Sequence, residues 1–208
     1  MTTSRFDLPV VIIGARPAGS ALAAHLGARG IPVVLLDRAS FPSLPAVPSS
    51  PALYPAALQL LDELGVAPST YVDPHGMMPR LLFQFYPWWN TSFPGPPMFG
   101  RDYVLGVDRS RFDRALSQRA EQYPSVSLRQ GFLVRDLLRD DAGRVVGVIG
   151  GPPGGAIERI DASCVVGADG RFSMVARRVQ AAMFEEESKY VSTVYYADWE
   201  GVAPPFDG

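Results

Sequence analysis

Cysteine is nearly absent from this 208-residue chain: Cys164 is the only one. One thiol cannot close an internal disulfide or build a cysteine-based zinc site. Such usage suits a reducing cytoplasm, and a cytoplasmic location is the expectation. Histidine is scarce as well, with only His25 and His75, so no metal-ligand cluster is readable. An excess of one charge sign is missing. The 19 basic and 21 acidic side chains leave a formal charge of −2, which argues against nucleic acid or a polybasic membrane anchor. No apolar run approaches the ~18 residues of a membrane span. The opening run Leu8–Ile13 is too short for a secretory signal and leads straight into glycine. Lysine is reduced to Lys189, and the other basic residues are arginine. Arginine suits planar contacts to phosphate, although base composition alone produces the same bias.

What is present is a globular composition, with 47% hydrophobic and 19% charged residues. Glycine and proline, 20 of each, predict many turns and long loops and exclude a simple helical bundle. Leu8–Ile13, rich in β-branched residues, reads as a buried parallel strand. Ala18–Arg29 is alanine-rich, carries Leu22 and Leu26 four apart, and is followed by Gly30, so it reads as a helix. Ile31–Leu36 is a second buried strand ended by Asp37. Together they make a βαβ unit. The proline-rich loop Ser40–Pro55 follows, and Pro55 opens a helix expected to reach Leu64 and stop at Gly65. Segment 66–100 shows little periodicity. Its candidate strand is Leu81–Phe85, and its aromatic residues Tyr86, Trp88, Trp89 and Phe93 suit either a substrate pocket or loop packing. Ser110–Gln122 reads as a helix with Phe112, Leu116 and Ala120 on one face. Val126–Leu128 reads as a short strand, and Phe132–Leu138, Val145–Ile149 and Ala156–Ile160 as an antiparallel meander. Ala162–Gly167 is expected to be a buried strand with Cys164 inert in the core. A helix starts near Ser173, and Tyr190–Trp199 is a further strand. The run Glu185–Glu187 reads as a solvated face.

Two turns carry the chemistry. The first is Gly14-Ala15-Arg16-Pro17-Ala18-Gly19, between strand and helix. Gly14 suits the tight turn of a dinucleotide fingerprint, and Gly19 the close packing of helix on strand. The helix N-terminus then offers free N–H groups to a pyrophosphate. Arg16 stands where the fingerprint has its middle glycine, and its guanidinium could pair with phosphate through the side chain. Asp37 lies 23 residues after Gly14, where a carboxylate receives ribose hydroxyls. Ser20, directly after Gly19, suits packing or a phosphate contact better than nucleophilic attack. The second turn is Gly167-Ala168-Asp169-Gly170, followed by Arg171-Phe172-Ser173 and Arg177.

This second turn, with Arg109-Ser110-Arg111-Phe112-Asp113-Arg114-Ala115-Leu116 between the two, resembles the group A flavoprotein monooxygenases, the para-hydroxybenzoate-hydroxylase-like FAD enzymes. A branch of that family also carries Gly-Ala-Arg-x-Ala-Gly, so Arg16 resembles a subfamily trait. The resemblance implies an α/β fold: a Rossmann-like FAD/NAD(P)-binding domain with an antiparallel β meander, plus the start of a substrate-binding sheet. It implies an FAD-binding domain over residues 1–180, with an inserted loop region at about 66–104, and the start of a substrate-binding domain over 181–208. FAD would be the cofactor and NAD(P)H the reductant. Gly14, Arg16, Pro17, Ala18 and Gly19 would hold the pyrophosphate, Asp37 the adenosine ribose, and Arg38 the adenine side. Arg109 would reach toward the flavin or its phosphates, and Val134 would contact adenine through its backbone. Asp169 and Gly170 would sit where FAD phosphate and NAD(P)H approach each other.

The activity implied is hydroxylation of a small, fairly apolar organic substrate with molecular oxygen. The cofactor carries that chemistry, so no catalytic side chain is nominated. The family's later Gly-Asp-Ala turn does not occur after Gly170, so the resemblance implies the N-terminal part of such an enzyme. Three other readings stand beside it: an FAD-dependent reductase of the prenyl-reductase type, a non-catalytic nucleotide-binding remnant, and an NAD-dependent dehydrogenase. The Asp169-Gly170 turn argues against the last.

Overall fold

The computed structural model describes residues 7–46, 49, 51–78, 80–85, 89–94, 97–184 and 201. In chain order the elements are β1 (Val10–Ile13), α1 (Pro17–Gly27), β2 (Val33–Leu36), β3 (Ala52–Leu53), α2 (Pro55–Leu64), a short 3-10 turn (Pro68–Thr70), β4 (Val72–Met78), β5 (Arg80–Phe85), β6 (Trp89–Pro94), β7 (Val104–Val107), α3 (Arg109–Glu121), β8 (Val126–Arg129), β9 (Leu133–Arg139), β10 (Val145–Gly151), β11 (Glu158–Asp161), β12 (Cys164–Gly167) and α4 (Met174–Arg178).

The centre is a four-stranded sheet in the order β12-β1-β2-β8, and every pairing in it is parallel. Alternation along the strands splits the core in two. Ile12, Val33 and Leu35 face a helical layer and pack with Ala23, Ala24, Phe112, Leu116 and Ala120. Val11, Ile13 and Leu36 point the other way and pack with Phe132, Leu137 and Val148 of the meander side. Both faces are covered, which is why β1 and β2 read as unbroken apolar runs.

The helices obey their local signals. Pro55 occupies the first turn of α2, and Gly65 ends it in the left-handed conformation at φ 67°. Asp108 caps α3, its carboxylate accepting from the N–H groups of Ser110 (2.7 Å) and Arg111 (3.4 Å). The Ser110 hydroxyl, the largest cause, and these N–H groups hold the Asp108 carboxyl below its ordinary value.

The meander forms as the antiparallel sheet β11-β10-β9, turning at Asp140–Gly143 and again at Pro152–Gly155. Val126–Arg129 does not join it. That strand pairs in parallel with β2 and closes one edge of the central sheet. The candidate strand Leu81–Phe85 forms, as β5, while its partner strand and a further sheet had no marker in the sequence. A three-stranded sheet, β3-β7-β4, gathers segments that lie as far apart as Ala52 and Val107. β5 and β6 form an antiparallel hairpin in which Phe85 opposes Trp89. The expectation of a buried strand at Ala162–Gly167 requires correction. β12 is the other edge of the central sheet among the described residues, and Cys164 on it is exposed rather than core. Tyr190–Trp199 and Glu185–Glu187 lie outside the described residues. No helix among the described residues is long and apolar enough to cross a membrane.

Candidate functional site

β1 has β2, its successor in sequence, on one side and β12, the last strand, on the other. β1 therefore stands between its successor and the last strand of the sheet, and the carboxyl ends of β1 and β12 lie side by side, the place in the strand order where open α/β sheets bind ligands. Both sequence motifs meet there. Gly14 follows β1 with φ +101°, and a Cβ on it would stand 2.4 Å from the Ala168 carbonyl oxygen and 3.2 Å from Asp169 Cα. The Ala168 N–H donates to Ile13 O at 2.8 Å. A Cβ on Gly19 would lie 1.8 Å from Gly14 O, so α1 rests directly on the turn. Ser20 seals this contact. Its buried hydroxyl donates to Ala15 O at 2.6 Å, which makes it a packing group.

Asp37 braces the turn from the end of β2. One carboxylate oxygen accepts from the Ala15 N–H and the other from the Ala39 N–H, each at 2.8 Å. Each oxygen keeps a second lone pair. The Phe132 N–H donates to Asp37 O at 2.8 Å, and so brings the start of the meander to the same strand end. Val134, two residues on, pairs with Gly150 and packs into the meander core. Arg38 is exposed and makes no ion pair among the described residues.

Arg16 is the N-cap residue of α1, with no capping side-chain bond, and Pro17 is the first helical residue. The N–H groups of Arg16, Ala18 and Gly19 find no acceptor among the described residues. They stand at the positive end of the helix. The backbone of Arg16 is extended, at φ −77° and ψ −176°, so a side chain costs no strain where the fingerprint has glycine. Its guanidinium points to protein acceptors: Asp113 Oδ2 and Ser43 O, both at 2.7 Å. Arg109 reaches the same buried carboxylate, with Nε 3.0 Å from Asp113 Oδ1 and Nη2 3.1 Å from Oδ2. Asp113 thus joins two residues singled out from the sequence, yet was itself read only as part of a motif. The signal was a carboxylate beside Phe112 on the apolar face of α3, four residues after an arginine.

Asp169 has a local task. Its carboxylate accepts from the Ser173 hydroxyl (2.6 Å) and from the N–H groups of Met174 (2.6 Å) and Val175 (3.2 Å), at the start of α4. Gly170 follows, exposed, at φ +83°.

Unpaired N–H donors at a helix start, a carboxylate ending the neighbouring strand and a second turn locked against the first fit a dinucleotide. The fold and site define a dinucleotide-binding α/β domain. The chain belongs to the FAD binding domain family, whose match covers residues 7–204. A flavin-dependent monooxygenase of Mycobacteroides abscessus is 29% identical over 207 residues, covering 93% of this chain and 42% of its own. A menaquinone reductase of Mycolicibacterium smegmatis is 34% identical over 148 residues, covering 67% of this chain and 33% of its own. Among solved structures, a myxobacterial chondrochloren halogenase, a variant FAD-dependent halogenase, is 26% identical with a TM-score of 0.66, covering 80% of this chain and 38% of that one. The chain spans less than half the length of each of these relatives.

Proposed function

We propose that the chain is the cofactor-binding part of an FAD-dependent monooxygenase that uses NAD(P)H and molecular oxygen to hydroxylate a small, fairly apolar organic substrate. The observation that carries this reading is the interlocking of the Gly14 turn with the Ala168–Asp169 turn at the carboxyl ends of β1 and β12. In this reading the N–H groups of Arg16, Ala18 and Gly19 bind the diphosphate at the positive end of α1. Asp37 orients the adenosine ribose through its remaining lone pairs, and Arg38 and the Val134 backbone flank the adenine. Arg109 lends positive charge near the phosphates. Asp169 holds α4 so that the Gly170 turn stays open to the reductant. FAD held by these residues would supply the redox chemistry between reductant and oxygen. Residues 1–180 then form the FAD-binding domain, and 181–208 begin the substrate-binding one.

The test is titration of the purified chain with FAD, followed by flavin fluorescence, with NAD as the competitor. Protein that stays colourless after refolding with FAD, or that prefers NAD, refutes the assignment. A second reading, an FAD-dependent reductase, is favoured by the 34% identity to the menaquinone reductase. Oxygen uptake with NAD(P)H and candidate phenols separates the two, since only the hydroxylating reading consumes oxygen in step with product. FAD binding without NAD(P)H oxidation would instead mark this chain as a nucleotide-binding unit alone.

A further inference from the structure

The guanidinium of Arg16 is almost wholly engaged within the protein. Nη1 donates to Ser43 O (2.7 Å) and Asp113 Oδ2 (2.7 Å), and Nη2 to Ser43 Oγ (3.1 Å) and Leu44 O (3.0 Å). Each of these nitrogens carries two hydrogens, so only Nε–H is left for anything else. The same group lies over the Phe41 ring, 5.0 Å from its centroid. Three residues of the proline-rich loop are therefore tied to the N-cap of α1. The Phe41 N–H also donates to Gln130 Oε1 at 2.6 Å, and farther along the loop Ser49 accepts from Arg109 and Pro51 O accepts from the Val107 N–H. Asp113 directs the arrangement. Its side chain has no exposed surface, and a buried carboxylate must find charged or polar donors. It takes Arg16 from one side and Arg109 from the other.

We infer that Arg16 and Asp113 form a strap holding loop residues Phe41–Leu44 against the first turn of α1, so that Arg16 positions the cofactor site and leaves the phosphate to backbone N–H groups. The strap rests on these contacts, and its consequence for FAD rests on the function proposed above. A loop held in place before the ligand arrives lowers the ordering cost of binding and acts chiefly on dissociation. A guanidinium that itself met the phosphate would act on association, through electrostatic attraction.

The experiment compares Arg16→Gln, Arg16→Lys and Asp113→Asn by amide hydrogen exchange of the cofactor-free chain and by stopped-flow FAD binding. Both Arg16 variants are expected to raise exchange over residues 39–46 by about tenfold or more, the scale of one charge-assisted hydrogen bond, and to leave β10 unchanged. FAD dissociation accelerates by a similar factor while association is unaltered. Lysine does not rescue, because a single ammonium cannot span acceptors set in a fork. Asp113→Asn behaves alike, and the Arg16→Gln/Asp113→Asn pair is no worse than its worse single, since both cut one strap. Should Asp113→Asn not fold, the two Arg16 variants decide alone. Unchanged loop exchange in Arg16→Gln overturns the strap. So does slowed association that lysine restores, which would make Arg16 a phosphate donor. If no form of the chain binds FAD, loosening of the loop still upholds the strap, and the functional reading alone falls.

Discussion

Gly14→Ala tests the junction on which the site depends. Two costs combine. At φ +101° an alanine is strained by about 1–3 kcal/mol. Its Cβ would also stand 2.4 Å from the Ala168 carbonyl oxygen, about 1 Å inside the 3.4 Å at which ordinary contact begins. Relief requires the second turn to move off the first, and forced repacking of this kind costs about 1–3 kcal/mol more. The total of about 2–6 kcal/mol is a large part of the stability of an ordinary domain, about 5–15 kcal/mol. Gly30→Ala is the control, because Gly30 has φ +70° but open space where its Cβ would go. It should carry only the strain, about 1–2 kcal/mol. Urea denaturation at equal m-values gives the difference, expected to be at least about 1 kcal/mol. FAD titration adds the functional half: affinity falls more than about tenfold in folded Gly14→Ala and holds in Gly30→Ala. Equal urea midpoints for the two variants would mean that the turns do not lean on each other, and the geometric argument for the site would fail.

Three other substitutions probe its supports. Asp37→Ala strips the acceptors from the N–H groups of Ala15 and Ala39 and should cost about 2–4 kcal/mol. Asp37→Asn, which keeps one oxygen, should lose about half as much, and a thermal melt showing Asp37→Ala as stable as the parent would refute the bracing role. Asp169→Ala frees the N–H groups of Met174 and Val175, so amide exchange there should rise about tenfold while β1 is unaffected. Exchange that stays constant would show that Asp169 does not hold α4. Asp108→Ala removes the cap of α3 and should cost about 1 kcal/mol near neutral pH. Because the folded Asp108 carboxyl sits below its ordinary 3.8, this contribution is complete above the unfolded value and disappears as pH falls through the lower folded one. The stability gap between parent and Asp108→Ala should therefore be flat from about pH 5 to 8 and close in acid; a gap that widens in acid contradicts the sign.

Local devices were legible in the sequence because they act within a few residues. Pro55 and Gly65 delimit α2 by what their own backbones can do. β1 and β2 announced burial on both faces by lacking polar positions. The sheet β3-β7-β4 had no such marker. β3 is two residues long, and β4 carries Asp73, Pro74, His75 and Gly76, where its pairing with β7 is irregular between Val72 and Met77. Its strands exist through partners distant in the chain. Cys164 was misplaced for a related reason: Cys-Val-Val-Gly reads as a buried run, but whether a strand is central or marginal depends on strand order, which a strand's own residues do not state.

Arg16 shows the same division within one residue. Its backbone place, at the start of α1 and beside the unpaired N–H groups of Ala18 and Gly19, followed from the spacing of Gly14 and Gly19. The aim of its side chain did not, because the carboxylate that draws it lies 97 residues away on α3. An arginine in a phosphate-binding fingerprint invites the reading that its charge serves the phosphate. The acceptors supplied by Ser43, Leu44 and Asp113 instead turn that charge into a structural tie. What replaces the middle glycine is then a way of fixing the neighbouring loop, and the extended backbone at position 16 carries that side chain without strain beside the unpaired N–H groups of the helix start.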